Sequence, residues 1–500
     1  MIQQDIKHFQ MVDTPLEDIP KIHKTLRETF TSHKTLPIPY RQHLLLQLAR
    51  MLQENHKAFS SAIHADLGKP PFEVYIGEIN PMIDRAIISA RRVPEWARER
   101  SYEGHADLPE PQKAWKPKVV PTPKGAVLVI SPWNYPLILS IQATIGAIAA
   151  GCTVCLKLSE VTSNYAGCLQ QLLPKYLDQD VIRVVCGGVP EVTKVLELKW
   201  DHIFYTGNGT IARIIAAAAA KHLTPLTLEL GGKSPVIVDP KCDLELAAKR
   251  TLWGKVTNCG QICVSPDYVL ISPSALPRYI DGLKKAYEEM YPADQGAALG
   301  SDSYAHIINL QHFNRIKGLL EKTKGKVLMG GRMDEERLKI EPTVILVKEG
   351  DVLLESETFG PILTIVELEE EGFIRKACDW VSERDHPLVL YLFSTDEQIQ
   401  DEVRRHTTTG GLVFNDTFMQ LDVKVLPFGG VGESGYGRQI LENTFECFSY
   451  ERSTVDIPAA AEEKIILRYP PYTDHSFKVE CEPGLNVKIP ESTPEGGLQV

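Results

Sequence analysis

Hydrophobic and polar positions change rhythm along this 500-residue chain. Over residues 15–60, Leu44-Leu45-Leu46-Gln47-Leu48 and Met51-Leu52 recur at helical spacing. Between 120 and 240 the pattern becomes short β-rich runs, Ala126–Ile130, Thr153–Leu158, Ile182–Cys186 and His202–Tyr205, each followed by a loop or helix. Short apolar strands alternating with helices predict a parallel, doubly wound α/β sheet. The apolar stretch Leu137–Ala150 is too short to span a bilayer and reads as a buried helix stopped by Gly151. After Glu229 a second α/β unit is expected: a strand at Pro235–Val238, a helix near 243–256, then strands at 268–271, 343–347 and 362–366.

Asp351–Gly360 and Gly429–Arg438 read as loops, where site residues commonly sit. From Pro458 the character shifts. Tyr469-Pro470-Pro471-Tyr472 reads as extended, and Lys488–Val500, rich in Pro, Gly, Ser and Glu, as a mobile tail. There is no internal repeat.

Composition narrows the function classes. The apolar and charged fractions are those of an ordinary globular protein, with a length ample for a large core. Net charge is 54 − 65 = −11 and no dense Lys/Arg block occurs, which argues against nucleic acid as a partner. Met1–Lys7 has no apolar signal-peptide core, and ten irregularly spaced cysteines read as reduced thiols, so a cytoplasmic location is expected. Cys259 and Cys263 stand four apart like a metal pair. No second ligand pair with zinc spacing follows and no HExxH occurs, so no metal is expected.

The candidate chemistry centres on Asn258-Cys259-Gly260-Gln261-Ile262-Cys263-Val264, downstream of Leu228-Glu229-Leu230-Gly231-Gly232-Lys233. A free cysteine is most often a small buried hydrophobe. A cysteine thiolate can also add to a carbonyl carbon, and a carboxylate can then activate water against the acyl-enzyme. Separately, Thr206-Gly207-Asn208-Gly209-Thr210-Ile211-Ala212 follows a strand and opens a helix over Ile211–Ala220. It is either a plain turn or a helix N-terminus aimed at a pyrophosphate.

Further segments complete a pattern. Ser131-Pro132-Trp133-Asn134-Tyr135-Pro136, Glu357-Thr358-Phe359-Gly360-Pro361, Pro427-Phe428-Gly429-Gly430 and Gly432-Glu433-Ser434-Gly435 occur in order around Cys263. Together they resemble the aldehyde dehydrogenase superfamily from about residue 25 to about 455. Gln261–Tyr268 and Lys221-His222-Leu223-Thr224-Pro225 are most similar to its class 3 branch, which includes fatty aldehyde dehydrogenases. The resemblance implies a Rossmann-like dinucleotide-binding domain (1–101 and 125–228), a second α/β catalytic domain (229–428), a bridging and oligomerisation element (102–124 and 429–455) and a tail (456–500). It implies NAD(P)-dependent oxidation of an aldehyde to the carboxylic acid, with Cys263 as nucleophile and Asn134 as oxyanion donor beside the Cys263 N–H. Glu229 is the expected hydrolytic base, with Glu357 close behind, and Phe359 is expected against the nicotinamide.

For the cofactor, Lys157 and Glu160 in Lys157-Leu158-Ser159-Glu160 inherit the ribose-binding role. A carboxylate there favours NAD, with NADP also possible. Gly207, Asn208, Gly209, Thr210, Ile211 and Ala212 would meet the pyrophosphate, with Ala212 standing where the family usually has glycine. Cys259 adds a thiol with an oxidation hazard, and Lys424 stands where some class 3 members carry histidine. The resemblance favours a medium- or long-chain aliphatic, aromatic or apocarotenoid-like aldehyde. Tyr135 and Trp133 could line a hydrophobic tunnel, whereas Trp253 reads rather as core. A homodimer joined near 102–124 and 439–453 is expected, with no membrane-spanning segment and no hydrophobic anchor in the tail. The competing reading is a cysteine acyl-enzyme esterase working without a cofactor.

Overall fold

The computed structural model describes residues 9–493 and 497–498. The expectation for Met1–Lys7 and part of that for the C-terminal tail lie outside the described residues.

The chain forms two compact units, one of residues 1–96 and 123–450, the other of 97–122 and 451–500. The larger unit carries two sheets. In the first, Gly435–Tyr436, Leu226–Glu229, His202–Thr206, Ala126–Ile130, Thr153–Lys157 and Ile182–Val185 lie side by side in that order. Five of these strands are parallel and Gly435–Tyr436 pairs antiparallel with Leu228–Glu229. The chain enters at the centre, winds outward through two strands, then returns to add two on the other side. The winding sense therefore changes between Ala126–Ile130 and His202–Thr206, where a doubly wound sheet opens a crevice at its carboxyl edge.

The predicted strands occur with ends shifted by a residue at most. The helix after the first strand runs Pro136–Ala150 and ends on Gly151 at φ 97°, a left-handed stop. Thirteen of its fifteen residues are buried, which explains a sequence apolar on all sides. The second sheet orders Lys326–Met329, Thr343–Val347, Ile362–Glu367, Tyr268–Ile271, Pro235–Val238, Val389–Phe393 and Gly411–Phe414, parallel except at its first pair. Each sheet has its own apolar core, Leu128, Ile203 and Ile215 in the first and Val236, Leu270 and Ile365 in the second.

The N-terminal segment read as helical forms three helices, Ile19–Thr31, Ile38–Glu54 and His56–Leu67. Gly429–Arg438, read as loop, contributes the strand Gly435–Tyr436. Gly435 has φ 123°, and a Cβ there would lie 2.0 Å from the Leu228 carbonyl, so this edge pairing needs glycine.

Arg100–Ser101, Lys118–Pro123 and Ser449–Thr454 form a three-stranded sheet, most of whose residues belong to the smaller unit. Beyond it, where the sequence suggests extended chain and tail, short helices at Glu462–Ile465, Asp474–Glu480 and Glu482–Leu485 precede a pairing of Ser492–Thr493 with Gly497–Leu498. Among the described residues no helix is long and apolar enough to cross a membrane.

Candidate active site

Most of the sequence-nominated groups leave the carboxyl ends of the first sheet. Asn134 follows Ile130, Lys157 ends its strand, Gly207 follows Thr206, and Glu229 closes the strand Leu226–Glu229. Cys263 and Glu357 instead sit in the loops that lead into the second-sheet strands Tyr268–Ile271 and Ile362–Glu367.

The cysteine loop is tightly specified. Asn258 and Cys259 both adopt left-handed φ, 48° and 55°, a costly conformation for residues with a Cβ. Gly260 follows at φ 72°, where a Cβ would meet the Gly360 carbonyl at 2.2 Å. Gln261 closes the turn: its Nε2 donates to the carbonyls of Asn258 and His306, both at 3.0 Å, and its Oε1 accepts from the Ile308 N–H at 3.0 Å. Cys263 emerges half-buried. Cys259, by contrast, is fully buried, donates to the Tyr304 hydroxyl at 3.2 Å, and is pushed up to about 12 by burial. The expected oxidation hazard there is corrected: this thiol is sealed in the core and stays protonated.

Cys263 and Asn134 share the wall of a cavity of ≈310 Å³ whose other walls are mostly apolar, among them Tyr135, Ile138, Trp253, Phe418 and Ile440. The side chain of Asn134 donates one N–H to the Gln261 carbonyl at 3.0 Å. An amide has two such hydrogens, leaving one for an incoming oxygen.

Glu229 and Glu357 do not line this cavity, yet their charges bear on Cys263. Burial, then the Glu357 and Glu229 carboxylates, push the thiol up to about 12. Burial alone raises Glu229 well above the carboxylate range, and both its oxygens are buried without a hydrogen-bond partner among the described residues. Burial, with Asp267 nearby, brings Glu357 to about 8. A Cβ on Gly231 would fall 2.4 Å from Glu357 Oε2, so glycine makes room for that carboxyl. Three acids crowd one weakly solvated place and titrate as a group. Removing one negative neighbour should therefore ease ionisation of the thiol. The variant Glu357→Gln is expected to alkylate faster than wild type with iodoacetamide at about pH 9, where wild-type Glu357 is charged, and equally at about pH 6. Mass spectrometry of the Cys263 peptide reads this out, and equal rates at the higher pH would show that the two groups do not interact.

The loop bearing Glu357 is held by Lys233, which pairs with Asp267 and donates to the Leu353 and Ser356 carbonyls, and by Arg315, which donates to the Thr358 and Phe359 carbonyls. Phe359 has φ 43°, and its ring meets Trp133 edge-on at 5.4 Å. Trp133 therefore packs on Phe359 and does not line the cavity, whereas Trp253, read from the sequence as core, does. Lys424 pairs with Asp84.

The dinucleotide region can be tested against its own geometry. Asn208 Oδ1 caps the helix Gly209–Ala220 by accepting from the Ile211 N–H at 3.0 Å. The Gly209 and Thr210 N–H groups of that first turn lack intrahelical acceptors and suit a pyrophosphate. A Cβ on Gly207 would fall 2.1 Å from the Tyr205 hydroxyl, so any larger residue at the mouth would have to displace that ring. Ala212 is buried and donates to the Asn208 carbonyl at 3.0 Å, so its methyl leaves the first turn regular. Buried Lys157 lies 3.7 Å from the exposed Glu160, a pair matched to ribose hydroxyls. Exposed Val189 and Ile211, on neighbouring helices, offer apolar surface to a planar base. The donor set fits a dinucleotide.

Several wall residues escaped the sequence reading. Glu73, Gly77, Pro81 and Arg85 recur every fourth position and together face the cavity; that spacing was the available signal. Lys255 was also missed. It is fully buried, brought down to about 8 by burial, and donates to the Gly360 carbonyl at 3.2 Å.

The comparisons with known proteins agree with this geometry. The aldehyde dehydrogenase family profile matches residues 3–454. The chain is 41% identical over 449 residues to the dimeric NADP-preferring aldehyde dehydrogenase of Rattus norvegicus, covering 90% of this chain and 96% of the relative. It is 40% identical over 450 residues to aldehyde dehydrogenase family 3 member A2 of Rattus norvegicus, covering 90% of each. The structure of Staphylococcus aureus AldH in a substrate-bound state superposes with a TM-score of 0.86 at 34% identity, over 92% of this chain and 98% of that one. The cofactor-free esterase reading gives way: this chain belongs to the aldehyde dehydrogenase family, as an NAD(P)-dependent enzyme that oxidises aldehydes.

Proposed function

We propose that the chain oxidises hydrophobic aldehydes (medium- or long-chain aliphatic, aromatic or apocarotenoid-like) to carboxylic acids through covalent intermediates on Cys263. The observation that carries this reading is a half-buried cysteine in the wall of an otherwise mostly apolar cavity, with Asn134 beside it. Apolar walls reward apolar substrates: each methylene moved from water to such a surface contributes about 0.8 kcal/mol.

In this reading the Cys263 sulfur attacks the aldehyde carbon while its proton leaves to a carboxylate of the group, and a thiohemiacetal forms. Asn134 donates its free amide hydrogen to the new oxyanion. When bound, NAD or NADP accepts the hydride that balances the two-electron oxidation. Water then attacks the residual thioester, and the carboxyl that takes the water's proton must first give up its own. Glu229 is the better-suited base, because both its oxygens are free to hold a water. Glu357, brought to about 8 by burial with Asp267 nearby, is the alternative base. Attack by that water releases the acid and restores the thiol.

The test is NAD(P)H formation across straight-chain aldehydes of increasing length. A rise in kcat/KM of about twofold to fourfold per methylene is expected until the cavity is filled. A flat profile, or preference for short polar aldehydes, would refute the hydrophobic assignment. Asn134→Ala is expected to cost about a hundredfold or more in kcat, the usual scale for one oxyanion donor. A change confined to KM would assign Asn134 to substrate placement instead.

A cytoplasmic homodimer is part of the same proposal. The rat relative carries "dimeric" in its name. The strand Ser449–Thr454 is an outer strand of its sheet with its central residues exposed, an edge suited to pairing.

A further inference from the structure

Two fully buried, oppositely charged side chains lie beside the site and have no part in the chemistry above. Lys69 Nζ stands 2.6 Å from Glu78 Oε1, and both side chains are wholly shielded from solvent. Taking two charges out of water is expensive, and such a pair is often replaceable by apolar groups without loss of stability. Its contacts therefore suggest what it does.

Glu78 lies in a turn of π-helix, Tyr75–Ile79, a rare geometry that recurs at functional sites. Its second oxygen accepts from the N–H groups of Leu137 at 2.9 Å and Ile138 at 3.4 Å, in the first turn of the helix that follows Asn134. Lys69 Nζ also donates to the Asn134 carbonyl at 3.2 Å and sits 3.5 Å from the centre of the Tyr135 ring. That carbonyl accepts a second hydrogen bond, from Asn258 Nδ2 at 2.9 Å. Asn258 in turn shares the Gln261 carbonyl with the Asn134 side chain, at 3.2 and 3.0 Å. The turn carrying the amide and the strained loop carrying Cys263 thus meet at one backbone carbonyl, and the buried pair grips it from behind. Glu73 is the further carboxylate near Lys69, and it accepts from the Asn258 N–H at 2.9 Å.

We propose that Lys69 and Glu78 are positioning residues for the reaction: by clamping the Asn134–Ile138 turn they hold the Asn134 amide at the reach an oxyanion beside Cys263 requires. This rests on reading Asn134 as the oxyanion donor.

The experiment is a mutant cycle in the full chain, assayed with decanal and saturating NAD. Lys69→Met combined with Glu78→Gln removes both charges together and leaves an amide oxygen for the Leu137 N–H. This pair of changes is expected to lower kcat by about tenfold to a hundredfold, with KM within about threefold, because misplaced catalytic groups cost turnover. In an Asn134→Ala background the same pair should cost less than about threefold, since the group it positions is gone. NADH binding, followed by fluorescence, should stay unchanged. Glu78→Asp alone keeps both charges but shortens the reach to the Leu137 N–H, and it is carried through the same cycle with an expected loss of about fivefold, so that poor folding of the double variant leaves the question decidable. Equal fold-losses in both backgrounds, or an unchanged kcat in either variant, overturn the positioning role. If Asn134→Ala itself keeps full kcat, the oxyanion reading fails and takes this one with it. An impaired Asn134→Ala with additive losses removes the positioning role alone.

Discussion

Replacing Cys263 by alanine is expected to abolish aldehyde oxidation, a loss of about ten-thousandfold or more, while NAD(P)H binding stays within about twofold. The sulfur makes the only covalent bond to substrate in the proposed route, and no neighbour can stand in for it. Cys259, the nearest cysteine in sequence, is fully buried and bonded to Tyr304. The proposed dinucleotide region lies on other segments, around Lys157, Gly207 and the start of the helix Gly209–Ala220. Steady-state turnover and NADH fluorescence titration on the same preparation separate the two effects. Retention of a substantial share of wild-type kcat would remove Cys263 from the role of nucleophile.

The second large effect concerns Glu229→Gln. In the proposed route hydride leaves the substrate before water attacks the thioester, so a variant lacking the proposed base should still form one equivalent of NADH rapidly and then stall. The expected stopped-flow trace is a burst near one per active site followed by a steady rate lower by about a hundredfold, the scale of a lost general base. Glutamine keeps the size of the side chain, so packing around this buried site changes little. Should Glu357→Gln give the burst while Glu229→Gln gives none, the two carboxyls have exchanged roles. Absence of a burst in both would mean that neither group acts after hydride transfer.

The strands were legible because each is a short run of β-branched and aliphatic residues bounded by turn formers, as in Ala126–Ile130 and Pro235–Val238. Gly435–Tyr436 was not, since two residues carry no periodicity and only the edge of Leu226–Glu229 makes them a strand. The reactive loop was legible as a motif, and the structure brings Cys263 and Asn134 to one cavity and Glu229 and Glu357 within electrostatic range. Missed were the residues that shape the space around it. Glu73 and Arg85 look like the polar face of any surface helix, and Trp253 satisfies core and cavity equally well. Lys69 and Glu78 were invisible because Lys69 precedes the short helix Pro71–Val74 while Glu78 lies in the π-helical turn Tyr75–Ile79, and no simple spacing rule pairs residues across that change of geometry.

The unpartnered carboxyl of Glu229 has a consequence for the whole fold. A carboxyl whose affinity for protons is higher in the folded chain than in the unfolded one favours folding only while it keeps its proton. For Glu357 that contribution is complete below about pH 4.5 and gone once the pH passes about 8. Glu229, also raised by burial, contributes in the same direction. The protein thus holds its reactive centre at the expense of alkaline robustness. The same two side chains that are proposed to serve catalysis make the folded state less favoured as protons are withdrawn.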